Sequence, residues 1–308
     1  MKGIITSGWV KRAGAILWVL FGSLQPLYAS DHQIVIVKSG DNSYFTQTIE
    51  TLISHVENAI SFKIIDTDSI DANADLISSA NRIIALGIKA SQLVLERFPK
   101  KKLISAYLTQ QQHRQLQLTH NNQLTILLDQ PLLRYLAFTK FQFNPRSVGI
   151  INHSPIELNR QQRMTLKRLK LQLKQYQSTE SRELLGRVRQ LVQQNDVLLM
   201  LPERGIYNRN TLKGVLLTAY RARRPVISYS PAHVKSGALA SIYSSPTDIG
   251  RHLADVLNDY GDGFADSSAN VQFARYYSVT TNSRVAHALG LEIPDETGLS
   301  QYLNEMIK

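Results

Sequence analysis

The stretch NPRSVGIINHSP (144–155) decides how this chain is built. Asn144, Pro145, Arg146 and Ser147 read as a linker signal. After them VGII begins a short β-branched run that ends in the polar loop Asn152, His153, Ser154, Pro155, and a helical pattern follows at about 157–170. A strand-loop-helix unit therefore starts afresh near the middle of the chain.

Upstream of this restart the same alternation has already run once. QIVIVKSG (33–40), SFKIID (61–66), RIIALG (82–87), KKLISAYL (101–108) and LTILLD (124–129) read as strands. Between and after them, YFTQTIETLISHVENAI (44–60) places Phe45, Ile49, Leu52, Ile53 and Val56 at helical spacing, and IKASQLVLERF (88–98) and QPLLRYLAFTKFQF (130–143) read as helices. Downstream, LQLKQYQ (171–177), DVLLMLPE (196–203), PVISYS (225–230) and ALASIYS (238–244) are strands, with helices at about 181–194 and 210–223. Strands alternating with helices argue for an α/β class with mainly parallel sheets, here in two units of one architecture.

Composition agrees. At 308 residues and 43% hydrophobic content the chain can bury a core of about two ordinary domains. The formal charge is +11, from 35 Lys and Arg against 24 Asp and Glu. Alone, that balance suggests an anionic partner. Residues 1–29 change the reading: Lys2, Lys11 and Arg12 precede the apolar run AGAILWVLFGSL (13–24), and cleavage after Ala29 fits a secretory signal peptide. An uncleaved N-terminal anchor is the alternative, and both imply export to the periplasm. For an exported chain the basic excess is a solubility or envelope-surface property, and no nucleic-acid partner is expected. The absence of cysteine excludes disulfides, zinc-thiolate sites and a lipid-modified N-terminal cysteine.

Catalytic motifs are missing. The eight histidines show no metal-ligand spacing, and no G-x-S-x-G, G-x-x-x-x-G-K-[ST] or G-x-G-x-x-G follows a strand. No enzyme activity, metal or cofactor is expected. In α/β units the loops after the strand carboxyl ends line the ligand crevice. KSGDNSY, GIKAS, NHSPIE, LPERGIYN and YSPAHVKSG are those loops, and each of their Ser, Asn and Asp residues also suits a turn or cap. Glu203 and Arg204 stand at a strand end, as a ligand-pairing charge or as a solvated surface pair. Tyr44, Tyr207 and Tyr229 can sandwich an apolar ligand group or pack the loop bases. The basic stretch RQQRMTLKRLKLQLKQY (160–176) reads as an amphipathic helix with a solvated cationic face; a membrane-surface or docking role is the other reading.

HVKSGALASIYSSPTDIGRHLADVL (233–257) is the best-specified junction in the chain. Small residues at Gly237, Ala238, Ala240 and Ser241 suit a close crossing, and Ser245, Pro246 and Asp248 start a helix with an apolar face of Ile249, Leu253, Val256 and Leu257. This pattern, with NRIIALGIKAS (81–91), VLLMLPERGIYN (197–208) and YYSVTTNSRVAHALGLEIPDE (276–296), resembles the ABC-type transporter substrate-binding protein family that includes tryptophan/tyrosine-binding proteins.

The resemblance implies a type I periplasmic binding fold: two lobes, joined by three crossovers, closing on a small organic ligand, with an amino acid as the candidate. It places crossovers near 144–148, 242–247 and 272–280. The N-terminal lobe would span 31–145 plus 246–271, and the C-terminal lobe 146–245 plus 272–308. The ligand-lining positions it implies are Ser39, Asp41, Asn42, Ser43, Gly87, Lys89, Ala90, Asn152, His153, Ser154, Glu203, Tyr207, Asn208, Tyr229 and Ser230. Two departures stand out: SGDNSYF lacks the family's histidine-proline stretch, and Pro-Glu-Arg replaces Pro-Asp-Asn-Thr. The implied partner is an ABC permease; a membrane sensor protein served by a ligand-sensing or scaffold subunit is the alternative. The mature chain is expected to be a monomer that does not insert into the membrane.

Overall fold

The computed structural model describes residues 33–292 apart from 58–59, 119–121, 179–180, 204 and 261–270. The expected signal peptide with its cleavage point at Ala29, the Ile-Pro end of the closing motif and Arg204 lie outside the described residues. A first run of elements comprises β1 (Gln33–Lys38), α1 (Ser43–His55), β2 (Ser61–Asp66), α2 (Ala74–Ser79), β3 (Arg82–Leu86), α3 (Ile88–Arg97), β4 (Leu103–Leu108), α4 (Gln110–Gln115), β5 (Gln123–Leu127) and α5 (Leu132–Phe143). A second run comprises β6 (Ser147–Asn152), α6 (Arg160–Arg168), β7 (Gln172–Gln177), α7 (Ser181–Gln194), β8 (Val197–Leu199), α8 (Leu212–Arg221), β9 (Val226–Ser228), α9 (Pro231–Lys235) and β10 (Ala240–Tyr243). Then come α10 (Pro246–Tyr260), β11 (Val271–Phe273), β12 (Ser278–Thr281) and α11 (Ser283–Leu289).

These strands form two six-stranded sheets, ordered β11-β5-β4-β3-β1-β2 and β12-β10-β9-β8-β6-β7. The first is wholly parallel; in the second β12 runs antiparallel to β10. Strand alternation divides each core into two layers. Ile34, Ile36, Ile84 and Ile104 meet α1 and α10, whereas Val35, Val37, Ile83 and Leu103 face the other way, towards α2 and α3. In the second sheet Val148 and Ile150 pack with α5 and α6, and Ile151 and Leu198 with α7 and α8. Both faces are covered, so β3 and β6 are buried along their whole length. The fold is the expected two-lobed α/β arrangement.

The lobes exchange helices: α10 joins the first lobe, where the resemblance implied it, whereas α5 corrects the expected course of the chain. The expected lobe boundary puts helix α5 in the first lobe, but its buried face, Leu132, Tyr135, Leu136 and Phe138, joins the core of the second sheet. Conversely α10 packs on the first sheet through Ile249, Leu253, Val256 and Leu257. The first crossover therefore lies at 128–131, ahead of α5. Asn144, at φ +41°, caps the end of that helix and turns the chain into β6 within the same lobe. The break at Asn144-Pro145 is real, but it is a turn inside one lobe. The second crossover is at 244–245. The third is at 274–277, because Val271–Phe273 still pairs with β5.

Side chains bind the three crossovers together. Gln130 Nε2 donates to Ser244 Oγ at 2.8 Å, and Ser244 Oγ donates to the Tyr276 carbonyl at 2.7 Å. Buried Arg134 bonds Gln130, donates to the Ala274 carbonyl at 3.2 Å and stacks 4.3 Å over the Tyr277 ring. Beside them Ser245 and Asp248 form a reciprocal cap, and Asp248 Oδ2 also accepts from Ser278 Oγ at 2.8 Å. The crossovers thus make one hydrogen-bonded seam.

Candidate functional site

A cleft of about 800 Å³ opens between the carboxyl ends of the two sheets. An adjoining compartment of about 660 Å³ shares Thr109, Gln111, Asp129, His153, Pro202 and Glu203 with it. Each is within the size range of small-molecule sites, and their position outside the strand carboxyl ends is the expected one for parallel sheets.

The first lobe's wall is built by β4, α4 and the first crossover. β4 bulges between Ala106 and Leu108, which puts Tyr107 at φ +64°, a strained conformation for an aromatic residue. Its ring packs edge-on against Phe45 at 5.1 Å and its hydroxyl lies 2.5 Å from Thr48 Oγ1. Burial pushes the Tyr107 phenol up to about 12, so it stays protonated. Helix α4 starts with a capping box in which Thr109 Oγ1 accepts from Gln112 N and Gln112 Oε1 accepts from Thr109 N. Gln112 is thereby fixed, while Gln111 and Gln115, one turn apart, also line the cleft.

Asp129 follows β5 in the first crossover. Its carboxylate accepts from Gln110 N at 2.5 Å, yet burial holds its pKa above the ordinary value. The charge of Arg114 works against this shift and that of Glu203 adds to it. On the second lobe Glu203 is also raised, first by burial, with His153 opposing. Two half-buried carboxylates, one on each side of the cleft, therefore feel each other, and each is short of compensating charge. Such an arrangement can hold a cation between the lobes. Tyr44, Tyr107 and Tyr229 add aromatic surface, and Tyr135, fully buried, donates to the Ile242 carbonyl at 3.2 Å beneath the floor. Gly205 lets His153 pack on the loop backbone; a Cβ there would collide with the imidazole. Among the described residues no group of three His, Asp or Glu side chains is placed to hold a metal.

Of the residues expected from the sequence, Tyr44, Asn152, His153, Ser154, Glu203, Tyr229 and Ser230 line these two compartments. Asn152 is almost fully buried, and neither atom of its amide has a partner among the described residues. The other expected positions do not line either compartment. Ser39 Oγ accepts from Ala90 N at 2.9 Å, clamping the loops after β1 and β3 together, and Gly87, at φ +93°, lies so close to Ser39 that a Cβ would sit 2.8 Å from its Oγ. Asn42 caps α1 by accepting from Tyr44 N, Ser43 is exposed, Asp41 pairs with Lys38 and Lys89 pairs with Asp68. Buried Tyr207 donates to the Ile151 carbonyl at 3.4 Å, and Asn208 caps the turn before α8 by accepting from Asn210 N.

Asp129, Tyr107 and the face of α4 were not singled out from the sequence. Asp129 ends the strand run LTILLD, so the carboxyl-end rule that selected the other loops applies to it too. For α4, Thr109-x-x-Gln112 was the available signal.

A family model described as ABC transporter substrate binding protein matches residues 138–302. No curated protein matches the chain in sequence. Among solved structures, the ligand-free, open form of a substrate binding protein with adhesive properties from Clostridium difficile is 15% identical, with a TM-score of 0.63 over 86% of this chain and 96% of that one. A conserved domain protein from Vibrio cholerae is 15% identical, with a TM-score of 0.53 over 88% and 98%. An ABC domain in complex with L-Trp from Streptococcus pneumonia is 14% identical, with a TM-score of 0.52 over 89% and 98%. At these identities the structural likeness speaks for the fold.

Proposed function

This chain belongs to the ABC transporter substrate binding protein family, and from that premise we propose that it is exported to the periplasm, captures an amino acid or related amine between its lobes, and delivers it to an ABC permease. The observation that carries the ligand class is the pair Asp129 and Glu203, set on opposite sides of one cleft and both disfavoured as bare anions. A ligand ammonium between them can pair with one carboxylate and relieve the repulsion felt by the other, and it does so best when the lobes approach. Ligand binding then favours the closed state by differential affinity. Arg114 and Lys235 line the two compartments and supply cations for a ligand carboxylate, while the tyrosines offer apolar faces to its side chain.

The test is a thermal-shift screen of amino acids, amines and uncharged sugars, followed by calorimetry on hits. A ligand at 100 times its Kd stabilises by about 2.7 kcal/mol. Asp129→Asn and Glu203→Gln should each weaken binding by about 1.5–3 kcal/mol, the contribution of a charged hydrogen bond. A response confined to uncharged sugars, or unchanged affinity in both variants, rules out the ammonium assignment.

A further inference from the structure

The positive charge of this protein is concentrated in one part of it. From Arg146 to Lys235 the chain carries 17 Lys and Arg against 5 Asp and Glu, an excess greater than the +11 of the entire sequence. Capture of a ligand between Asp129 and Glu203 makes no use of that excess.

Within this stretch, α7 and α8 lie side by side on one face of the second sheet. Leu184, Val188 and Leu191 of α7 and Val215, Leu216 and Ala219 of α8 turn inward. Gly214 permits the close approach, since a Cβ there would sit 3.0 Å from Leu185 Cδ2. On α8 the outward residues are Lys213, Leu217, Tyr220 and Arg221, spaced as one helical face. Leu217 is 43% exposed and Tyr220 49% exposed. Arg223, just beyond the helix at φ +54°, is exposed as well, and Arg187 and Arg189 stand exposed on α7. Arg224 pairs with Asp196 at 3.8 Å, but among the described residues none of the five cations Arg187, Arg189, Lys213, Arg221 and Arg223 has an ion-pair partner.

An aliphatic side chain and a tyrosine set singly among unpaired cations suit a lipid headgroup layer. Lys and Arg reach phosphates there, Tyr sits at the polar boundary, and Leu enters the acyl edge. A protein partner would instead call for a contiguous apolar centre with charge confined to the rim. We propose that the α7–α8 face seats the second lobe on an anionic phospholipid surface. None of Lys213, Leu217, Tyr220 and Arg221 lines the cleft, so the ligand site stays available while the lobe is seated.

The experiment is co-sedimentation with vesicles of equimolar phosphatidylglycerol and phosphatidylethanolamine, against vesicles of phosphatidylcholine alone, at low and physiological salt. Parent and variants share one N-terminus, so any contribution of that segment cancels. The parent should bind the anionic vesicles and lose binding as salt shortens the Debye length to about 8 Å. Lys213→Gln with Arg221→Gln should lower the partition coefficient by about 25-fold, roughly fivefold per charge. Lys63→Gln with Lys100→Gln, exposed cations of the first lobe, removes the same net charge and should change it little. Leu217→Ser with Tyr220→Ser should weaken binding at constant charge. Equal losses in the two charge pairs, no binding of the parent at low salt, or dimerisation in sedimentation velocity that Lys213→Gln with Arg221→Gln abolishes while vesicle binding is absent, would each overturn the proposal.

Discussion

Gly250 lies where α10 crosses α1, and Gly250→Ala sets two effects of opposite sign against each other. A Cβ at this position would lie 2.6 Å from the Thr48 carbonyl oxygen, 2.7 Å from Thr51 Cβ and 3.2 Å from Leu52 N. Two of these atoms are backbone, so no side-chain rotation relieves the crowding and the helices must separate. Overpacking of this kind costs about 1–3 kcal/mol. Alanine in a helix interior is favoured over glycine by about 1 kcal/mol. The net expectation is a loss of up to about 2 kcal/mol, which for a domain of this size lowers Tm by as much as roughly 8 °C. Ligand affinity should fall as well, because Thr48 Oγ1 is hydrogen-bonded both to the Pro246 carbonyl, at 3.0 Å, and to Tyr107 in the cleft wall. Calorimetric melting of parent and variant measures the first effect and titration with a ligand from the screen the second. A rise in Tm of a few degrees, the result of helix propensity alone, would refute the close crossing.

Two further outcomes follow from buried groups. His252 is 1% exposed, with Nδ1 accepting from Arg275 N at 3.2 Å and Nε2 facing Gln272 Oε1 at 3.1 Å, so the neutral ring fits and a second ring proton would oppose a backbone N–H. Burial, helped by the Arg275 charge, lowers its pKa to about 4, against about 6.5 in the unfolded chain. Between these values the unfolded state binds more protons, so this contribution is fully present above pH 6.5 and is lost as pH falls towards 4, by roughly 3 kcal/mol in total. Urea denaturation of the parent should show this slope, and His252→Asn should flatten it; parallel curves would contradict the assignment. Tyr135→Phe removes the hydroxyl that satisfies the buried Ile242 carbonyl and should cost about 1–2 kcal/mol in the same assay, with an unchanged urea midpoint speaking against that bond.

Apolar periodicity made the sheets legible. Short β-branched runs such as RIIAL and VGII read as strands, and their order with intervening helices gave the α/β class. Which lobe claims a helix was not legible in this way. The resemblance put α10 with the first lobe, but nothing in the apolar face of α5 says which sheet it covers, and only the three-dimensional packing shows that it belongs to the second. The break at Asn144-Pro145 suggested a lobe boundary because a helix cap and a linker share the same residues. Candidate site residues divided along a related line. His153, Glu203 and Tyr229 follow strands whose carboxyl ends face the cleft, whereas the loops after β1 and β3 are held to one another by Ser39 and Ala90. Helix α4 escaped notice because QQQHRQ has no apolar residue, and periodicity is silent where a helix is held by its cap and neighbours alone.

The helix exchange also sets an order of assembly. One face of the first sheet, with Ile34, Ile36, Ile84 and Ile104, is completed by Ile249, Leu253, Val256 and Leu257, and the contact of Glu57 N with Asn258 Oδ1 spans 201 residues. The second sheet needs no such wait, because α5 precedes it and every strand but edge strand β12 is complete by residue 243. A chain emerging N-terminus first thus makes every strand of its first lobe but edge strand β11 early, and the helix that shelters them late. The lobe that begins the sequence is the last to acquire its core, and its loop-closure entropy makes it the slower to fold.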